Sequence, residues 1–268
     1  MMTDNKPIFI FSSSWRSGST LLQRWLTASK QVLVWGENGG ALNDFHQAYM
    51  GFAQMMGDPR LRYKDGWGAE GAAVLEEFRN TPIADRPHLW MANLCPRIDH
   101  VRATFASGLR QIYERPTLEL GYQRFGIKET RCDLSTARFL RDLFPDAKFV
   151  FLVRDPLAVL LSIKRRNWVI PKTGFAALRY HVKHWQARST AFRQADFGMK
   201  LRYEDFISDQ ASRDRLLEYL EIDSPPPTDF LASSHADWAV HGAVDLNLWE
   251  RWWARNQLRE EMDAWGYR

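Results

Sequence analysis

Cysteine is nearly missing from this chain: Cys95 and Cys132 are the only two in 268 residues. Two thiols cannot build the disulfide framework of a small secreted domain, and the stretch Met1 to Lys6 ahead of the first apolar run is short and polar, unlike a secretion leader. A reducing, cytoplasmic setting with both thiols unpaired is expected. Long apolar runs are missing too. A membrane span needs roughly 20 consecutive apolar residues, and the best candidate, 149–163, is broken by Arg154, Asp155 and Pro156. There is no internal repeat, no low-complexity segment and no linker long enough to separate domains. The expectation is therefore a single domain over 1–268 with a substantial core and no membrane span. Charge of one sign is also scarce: the net charge is only +4, with no long basic tract and no RNA-binding aromatic motif. Nucleic acid is excluded as a partner on that ground.

What is present begins at Pro7. Ile8 to Phe11 read as a buried strand, Ser12 to Ser17 as a turn of small residues, and Gly18 to Leu26 as a helix with Leu21, Leu22, Trp25 and Leu26 at amphipathic spacing. A strand, a tight loop and a helix N-terminus form a phosphate cradle, because the first helical N–H groups lack internal partners and point outward. The helix dipole adds about half a positive charge there. Arg16 adds a permanently charged fork suited to oxyanions. The loop is missing one thing. The nucleotide-hydrolase pattern G-x-x-x-x-G-K-[ST] has a lysine after its second glycine; aligned on Gly18 and Thr20, this chain has Ser13 at the first glycine and Ser19 at the lysine. The spacing suits a nucleotide whose terminal group is not a γ-phosphate.

A second segment, 145–166, repeats the theme. Lys148 to Val153 form a continuous apolar run, as expected of a parallel strand covered on both faces. Asp155 is a good N-cap and Pro156 fits the first helical position. Arg154 then stands at the carboxyl end of a strand, where open α/β sheets bind ligands. Ser162 lies two turns beyond Asp155 and Arg166 one turn further, so both can address one anion together with Arg154.

These two elements, in this order, resemble the sulfotransferase family that uses 3′-phosphoadenosine-5′-phosphosulfate. The first match is Trp15-Arg16-Ser17-Gly18-Ser19-Thr20-Leu21, with Trp where proline is usual; the second is Arg154 with Ser162. The resemblance covers roughly 6–40 and 125–206, and is nearest to the branch of tyrosylprotein, carbohydrate and bacterial small-molecule enzymes. It implies an α/β fold with a P-loop-type parallel sheet flanked by helices, and a helical insertion over 45–125 forming the acceptor pocket. It implies that Arg16, Ser17, Gly18, Ser19 and Thr20 hold the 5′-phosphosulfate, that Arg154, Ser162 and Arg166 hold the 3′-phosphate, and that Tyr203, in Leu-Arg-Tyr-Glu-Asp-Phe, lies near the nucleotide. It places a catalytic carboxylate at Glu37, in Gly36-Glu37, and a lysine for the bridging oxygen at Lys128, in Gly126-Ile127-Lys128.

Sulfuryl transfer resembles phosphoryl transfer in needing alignment and charge stabilisation more than covalent work. Arg16 and Lys128 would neutralise the leaving phosphate and Glu37 would take the acceptor proton, with no metal required. Relatives that sulfate phenols and steroids carry His two residues after the lysine, where this chain has Thr130. Glu129 is thus the second candidate base and His100 a distant third. Each residue alone has a plainer reading: Arg154 paired with a surface carboxylate, Ser162 bonded back to a helix carbonyl, Lys128 solvated, Arg166 in the wetted helix end Lys164-Arg165-Arg166, Tyr203 in the core. The joint spacing favours the site. The function expected is transfer to a hydroxyl or amine of a small molecule, lipid or sugar. A P-loop small-molecule kinase and a non-catalytic binding protein are the rivals.

Elsewhere, loops are expected at Gly57-Asp58-Pro59 and Thr81-Pro82, and Ser224 to Pro227 read as a stiff connector after a helix near Arg213 to Leu220. Leu246 to Trp265 read as a helix whose stripe of Leu248, Trp249, Trp252, Trp253 and Met262 is assigned to the core.

Overall fold

Five short apolar segments become the strands of one parallel sheet: β1 (Ile8–Ser12), β2 (Val32–Trp35), β3 (Arg124–Glu129), β4 (Lys148–Val153) and β5 (Met199–Arg202). This computed structural model describes residues 6–57, 80, 82, 98–168, 172–227, 231 and 244–267. The helices between and after the strands are α1 (Ser19–Thr27), α2 (Ala41–Gly57), α3 (Ile98–Leu109), α4 (Arg115–Glu119), α5 (Leu134–Leu143), α6 (Pro156–Lys164), α7 (Gly174–Gln194), α8 (Tyr203–Ser208), α9 (Gln210–Leu220) and α10 (Leu248–Ala264), with a π turn at Arg110–Glu114. The chain is thus α/β, a five-strand parallel sheet flanked by helices, as expected.

The strand order is β2-β3-β1-β4-β5. From β1 the chain leaves toward β2 on one side, and from β4 it leaves toward β5 on the other. The connections therefore diverge between the carboxyl ends of β1 and β4, the crevice where open α/β sheets bind ligands. Register places Phe11 beside Glu129, Ser12 beside Leu152 and Val153 beside Arg202, so the loops after all four strands open at one level.

The central strands β1 and β4 are buried on both faces, which is why they read as unbroken apolar runs, whereas β2 and β5 are partly exposed. One face is largely aliphatic: Ile8, Ile10, Val150, Leu152 and Leu201 pack on Leu22, Trp25 and Leu26 of α1 and on Leu216, Leu217 and Leu220 of α9. The other is aromatic. Phe9 and Phe11 meet Phe149, Phe125 and Phe151 across the strands, and Phe144, Phe192 and Phe197 cover them with centroids 4.8–6.2 Å from their neighbours.

By contacts the chain divides into two compact units, Met1–Gly40 with Tyr113–Arg268, and Ala41–Ile112. The second contains α2 and α3, joined by Phe45, Tyr49 and Phe52 packed edge-on around Phe105. The insertion read from the sequence over 45–125 overlaps this second unit. Of the loops expected there, Asp58, Pro59 and Thr81 lie outside the described residues, as does Cys95. Cys132 is buried. Among the described residues no helix is long and apolar enough to cross a membrane.

The last helix corrects the sequence reading. Its buried face is Ala254, Leu258, Glu261 and Met262, while Leu248, Trp249 and Trp252 are 87%, 50% and 61% exposed. Of the expected stripe only Met262 is in the core. The reason lies at Glu261, which accepts from Thr190, Arg193 and the Trp265 indole and so turns the helix by its polar residue. The tryptophans instead stack on each other and on Phe175, with centroids of Trp249 and Trp253 both 5.0 Å from that ring.

Candidate active site

The carboxyl ends of β1, β3 and β4 open into a cleft of about 1320 Å³. Its floor is the loop after β1. Ser13 N–H extends the ladder to Leu152 O at 3.0 Å, and Ser17 Oγ turns inward to donate to Ser14 O at 2.8 Å. Arg16 has a φ of 64° and Gly18 a φ of 84°. A left-handed residue with a side chain costs about 1–2 kcal/mol, and such strain gathers at ligand sites. Gly18 is required twice, by its φ and because an added Cβ would overlap the Tyr203 ring. It caps α1 with no side-chain hydrogen bond, so Ser19 and Thr20 present the uncapped first turn to the cleft.

The second element meets this loop directly. Asp155 caps α6 through the N–H groups of Leu157 and Ala158, at 2.7 and 3.1 Å, and its own N–H donates to Glu204 Oε1. That aims Arg154 across the crevice: its Nη1 donates to Arg16 O at 2.9 Å and its guanidinium stacks 4.6 Å from the Tyr203 ring centroid. From the α1 side, Arg16 Nε donates to Ser162 Oγ at 3.1 Å. Arg154, Ser162, Arg166, Tyr203 and Arg16, distant in sequence, therefore line one wall. Burial first, then the charges of Arg166 and Arg154, pull the Arg16 guanidinium below the usual arginine range. Three guanidiniums held together in this way are arranged for a polyanion. Arg154 Nε, Ser12 Oγ and Ser13 Oγ are buried without a partner, as expected where an anion or water completes the cradle.

Beside the loop, Glu37 Oε1 accepts from Lys128 Nζ at 2.6 Å. The lysine side chain is 5% exposed and the glutamate 32%, so Glu37 faces the cleft with Lys128 behind it. Glu129, on the alternate face of β3, is 1% exposed. Its Oε1 accepts the Asn38 N–H at 3.2 Å, and its Oε2 has no partner. Burial pushes its carboxyl above the usual carboxylate range, against the Asn38 bond.

Of the residues singled out from the sequence, Arg16, Gly18, Ser19, Thr20, Glu37, Arg154, Ser162, Arg166 and Tyr203 line the cleft. Ser17 and Lys128 are not among the residues that line it: Ser17 closes the turn, and Lys128 lies behind Glu37, paired with its carboxyl group. His100 is exposed and belongs to the Ala41–Ile112 unit. The sequence reading missed a whole wall, made by Trp15, Arg131, Tyr180, His181, His184 and Arg188. Its signal was available: Tyr180, His184 and Arg188 recur at one-turn spacing on α7. Arg188 reaches the carbonyls of Thr130 and Arg131, which bends this wall over the end of β3.

The pattern that defines the Sulfotransferase family matches residues 7–226. No curated protein sequence matches the chain. Among solved structures it is similar to the sulfotransferase domain of the Synechococcus PCC 7002 olefin synthase, at 19% identity over 100% of this chain and 98% of that one, with a TM-score of 0.52. It is also similar to sulfotransferase STF9 from Mycobacterium avium, at 15% identity over 99% of this chain and 78% of that one, with a TM-score of 0.46. A sulfotransferase from Alicyclobacillus acidocaldarius matches at 14% identity over 98% of this chain and 97% of that one, with a TM-score of 0.46. The family match spans both arms of the crevice, from the strand before the Arg16 loop to beyond Tyr203, and on that ground the chain belongs to the sulfotransferase family.

Proposed function

We propose that this enzyme moves a sulfuryl group from 3′-phosphoadenosine-5′-phosphosulfate to a hydroxyl, or an amine, of a small molecule, lipid or sugar. The observation that carries this reading is the interlock of the two arms, Arg16 Nε on Ser162 Oγ and Arg154 Nη1 on Arg16 O, at 3.1 and 2.9 Å. A donor with phosphate at both ends of its ribose needs two anion sites held at a fixed distance, and the shared Arg16 supplies that. The uncapped first turn of α1, with Ser19 and Thr20, suits the 5′-phosphosulfate. Arg154, Ser162 and Arg166 suit the 3′-phosphate, with Tyr203 stacked beneath Arg154.

Transition-state charge builds on the leaving phosphate, and fixed cations in a partly dry cleft stabilise it without reorganising. Arg16, which lines the cleft, is one of those cations; Lys128, paired with Glu37 just behind the cleft, becomes the second when that pair opens toward the donor. Glu37, which faces the cleft, takes the acceptor proton; Glu129 is too deeply buried to meet an acceptor. The Glu37–Lys128 contact holds the carboxyl group in place while the donor is absent. Every neutralising charge in this scheme comes from a side chain or the backbone, with no metal step.

Calorimetry tests the reading. Adenosine 3′,5′-bisphosphate should bind more tightly than AMP or ATP, and equally with magnesium or chelator. Magnesium-dependent ATP binding with no preference for the bisphosphate would instead make the chain a small-molecule kinase.

A further inference from the structure

The cleft is lined by a second pair of arginines besides those assigned to the donor. Arg16, Arg154 and Arg166 gather at the β1–β4 crevice, whereas Arg131 and Arg188 lie at the end of β3. Arg131 donates to Gly39 O at 3.3 Å, two residues past Glu37, and its guanidinium lies 5.8 Å from the Trp15 ring centroid. Arg188 crosses from α7 and donates to the carbonyls of Thr130 and Arg131, the latter at 2.9 Å. One turn earlier on α7, the His184 ring sits 4.1 Å from that of Tyr180. Burial, then the charge of Arg188, pull His184 below the usual histidine range.

Acid groups lie near these arginines, since the charge of Arg131 acts on Glu129 and that of Asp133 on Arg188, and each carboxyl group around the cleft also has a structural partner. Glu37 holds Lys128. Asp155 caps α6. Glu204 accepts from the Asp155 N–H and, at 2.9 Å, from Tyr267 OH. Asp133, whose charge reaches Arg188, caps α5 through the N–H groups of Ser135 and Thr136.

We infer that the wall formed by Arg131 and Arg188 with the rings of Trp15, Tyr180 and His184 is the acceptor subsite, and that it takes a hydroxylated acceptor bearing a carboxylate. The inference rests on the sulfuryl-transfer reading and names the substrate class for it. A guanidinium is a planar fork matched to a carboxylate, and charge-assisted bonds of this kind are about twice as strong as neutral ones. Arg188 is held by two main-chain carbonyls and Arg131 by Gly39 O and the Trp15 face, so little side-chain freedom remains to lose on binding. The aromatic faces suit an apolar or ring-bearing body. Because Arg131 bonds into the segment just after Glu37, an acid group held there leaves the acceptor hydroxyl on the Glu37 side. In the transfer the donor's sulfur–oxygen bond to phosphate breaks and a new sulfur–oxygen bond forms to the acceptor oxygen. The hydroxyl proton passes to Glu37, and the acceptor carboxylate is unchanged.

The test uses hydroxy acids and their amides as matched probes: 4-hydroxyphenylacetate against 4-hydroxyphenylacetamide, and 6-hydroxyhexanoate against 6-hydroxyhexanamide. Binding to the full chain saturated with adenosine 3′,5′-bisphosphate is measured by calorimetry, and transfer from the sulfate donor by release of the bisphosphate. Acids should exceed amides by about tenfold or more in affinity or kcat/KM, and Arg131→Gln should shrink the ratio to about threefold or less. Bisphosphate affinity serves as the folding control for the variant. Amides equal to or better than the acids, a ratio that Arg131→Gln leaves intact, or no response to either acid by a protein that binds the bisphosphate would each overturn the acceptor assignment. Failure of the wild type to bind the bisphosphate at all would instead overturn the sulfuryl-transfer reading beneath it.

Discussion

Glu37 and Glu129 are close in space and opposite in circumstance. Glu37 has its carboxylate on a lysine and one side open to the cleft, whereas Glu129 is 1% exposed and braces the Asn38 N–H. Replacing Glu37 by Gln keeps the shape and removes the proton acceptor of the proposed mechanism. Turnover should fall by about 10²–10⁴-fold while bisphosphate affinity stays near its original value, a split read from kcat and calorimetry on the same preparation. His181 shows a different kind of residue-scale control. It packs between Trp15 and Trp168, with centroids 5.9 and 6.0 Å away, and burial, then His184, pull it down to about 4. The unfolded chain would titrate it near 6.5, so between those values the unfolded state binds the extra proton. Its contribution to stability is whole above about pH 6.5 and is lost as pH falls toward 4. Urea titrations across that window should show the loss, and His181→Phe, which keeps the ring stack, should flatten it. None of this was legible in the sequence, where His181 is one histidine in a long helix. Glu37 was legible only because a family resemblance marked it.

Among the elements, α1 and α6 form a contrasted pair. Both start at the crevice, but α6 is sealed by Asp155 and α1 is left open at Gly18. Asp155→Ala removes the cap on the Leu157 and Ala158 N–H groups and should destabilise the fold by about 1 kcal/mol, read as a lower melting temperature. The main-chain N–H at 155 still donates to Glu204, so Arg154 keeps that support and bisphosphate affinity should change little. The Asp-Pro start of α6 and the apolar run of β4 could be read directly, because capping chemistry and two-sided burial leave local marks. The wall on α7 left only a partial mark, the one-turn spacing of Tyr180, His184 and Arg188, because Arg188 gains its place from the carbonyls of Thr130 and Arg131, 58 and 57 residues away. The α10 stripe misled for a related reason. Helical periodicity shows that a face exists, but Glu261 and its partners decide which face turns inward.

At the level of the whole molecule, the ends of the strands opposite the cleft are gathered by one residue. Glu221, in left-handed conformation after α9, accepts from Lys6 and Lys148 at 3.0 and 2.7 Å, and Arg124 donates to its carbonyl and to that of Leu220. Hydrogen bonds from the two lysines hold its carboxyl down to about 2. A depressed carboxylate stabilises the fold above its unfolded value and stops doing so as pH falls from about 4.5 toward 2. Being half exposed, the pair of bridges is worth only about 0.2–1 kcal/mol each. Glu221→Gln should lower the melting temperature slightly at neutral pH and low salt, and the difference from wild type should vanish near pH 2 or in concentrated salt. The strand order that unites these ends was not in the local sequence, which marks strands but not their neighbours. The Arg16 interlock at the other end has a consequence of its own. Since one residue serves as the hinge pin of both proposed anion sites, a ligand filling only one of them leaves the pin half seated. The two phosphates of a bound nucleotide should then be recognised as a unit, and removing both should cost less than the sum of removing each. An enzyme so wired would ignore the abundant adenine nucleotides around it by reading a span rather than a base.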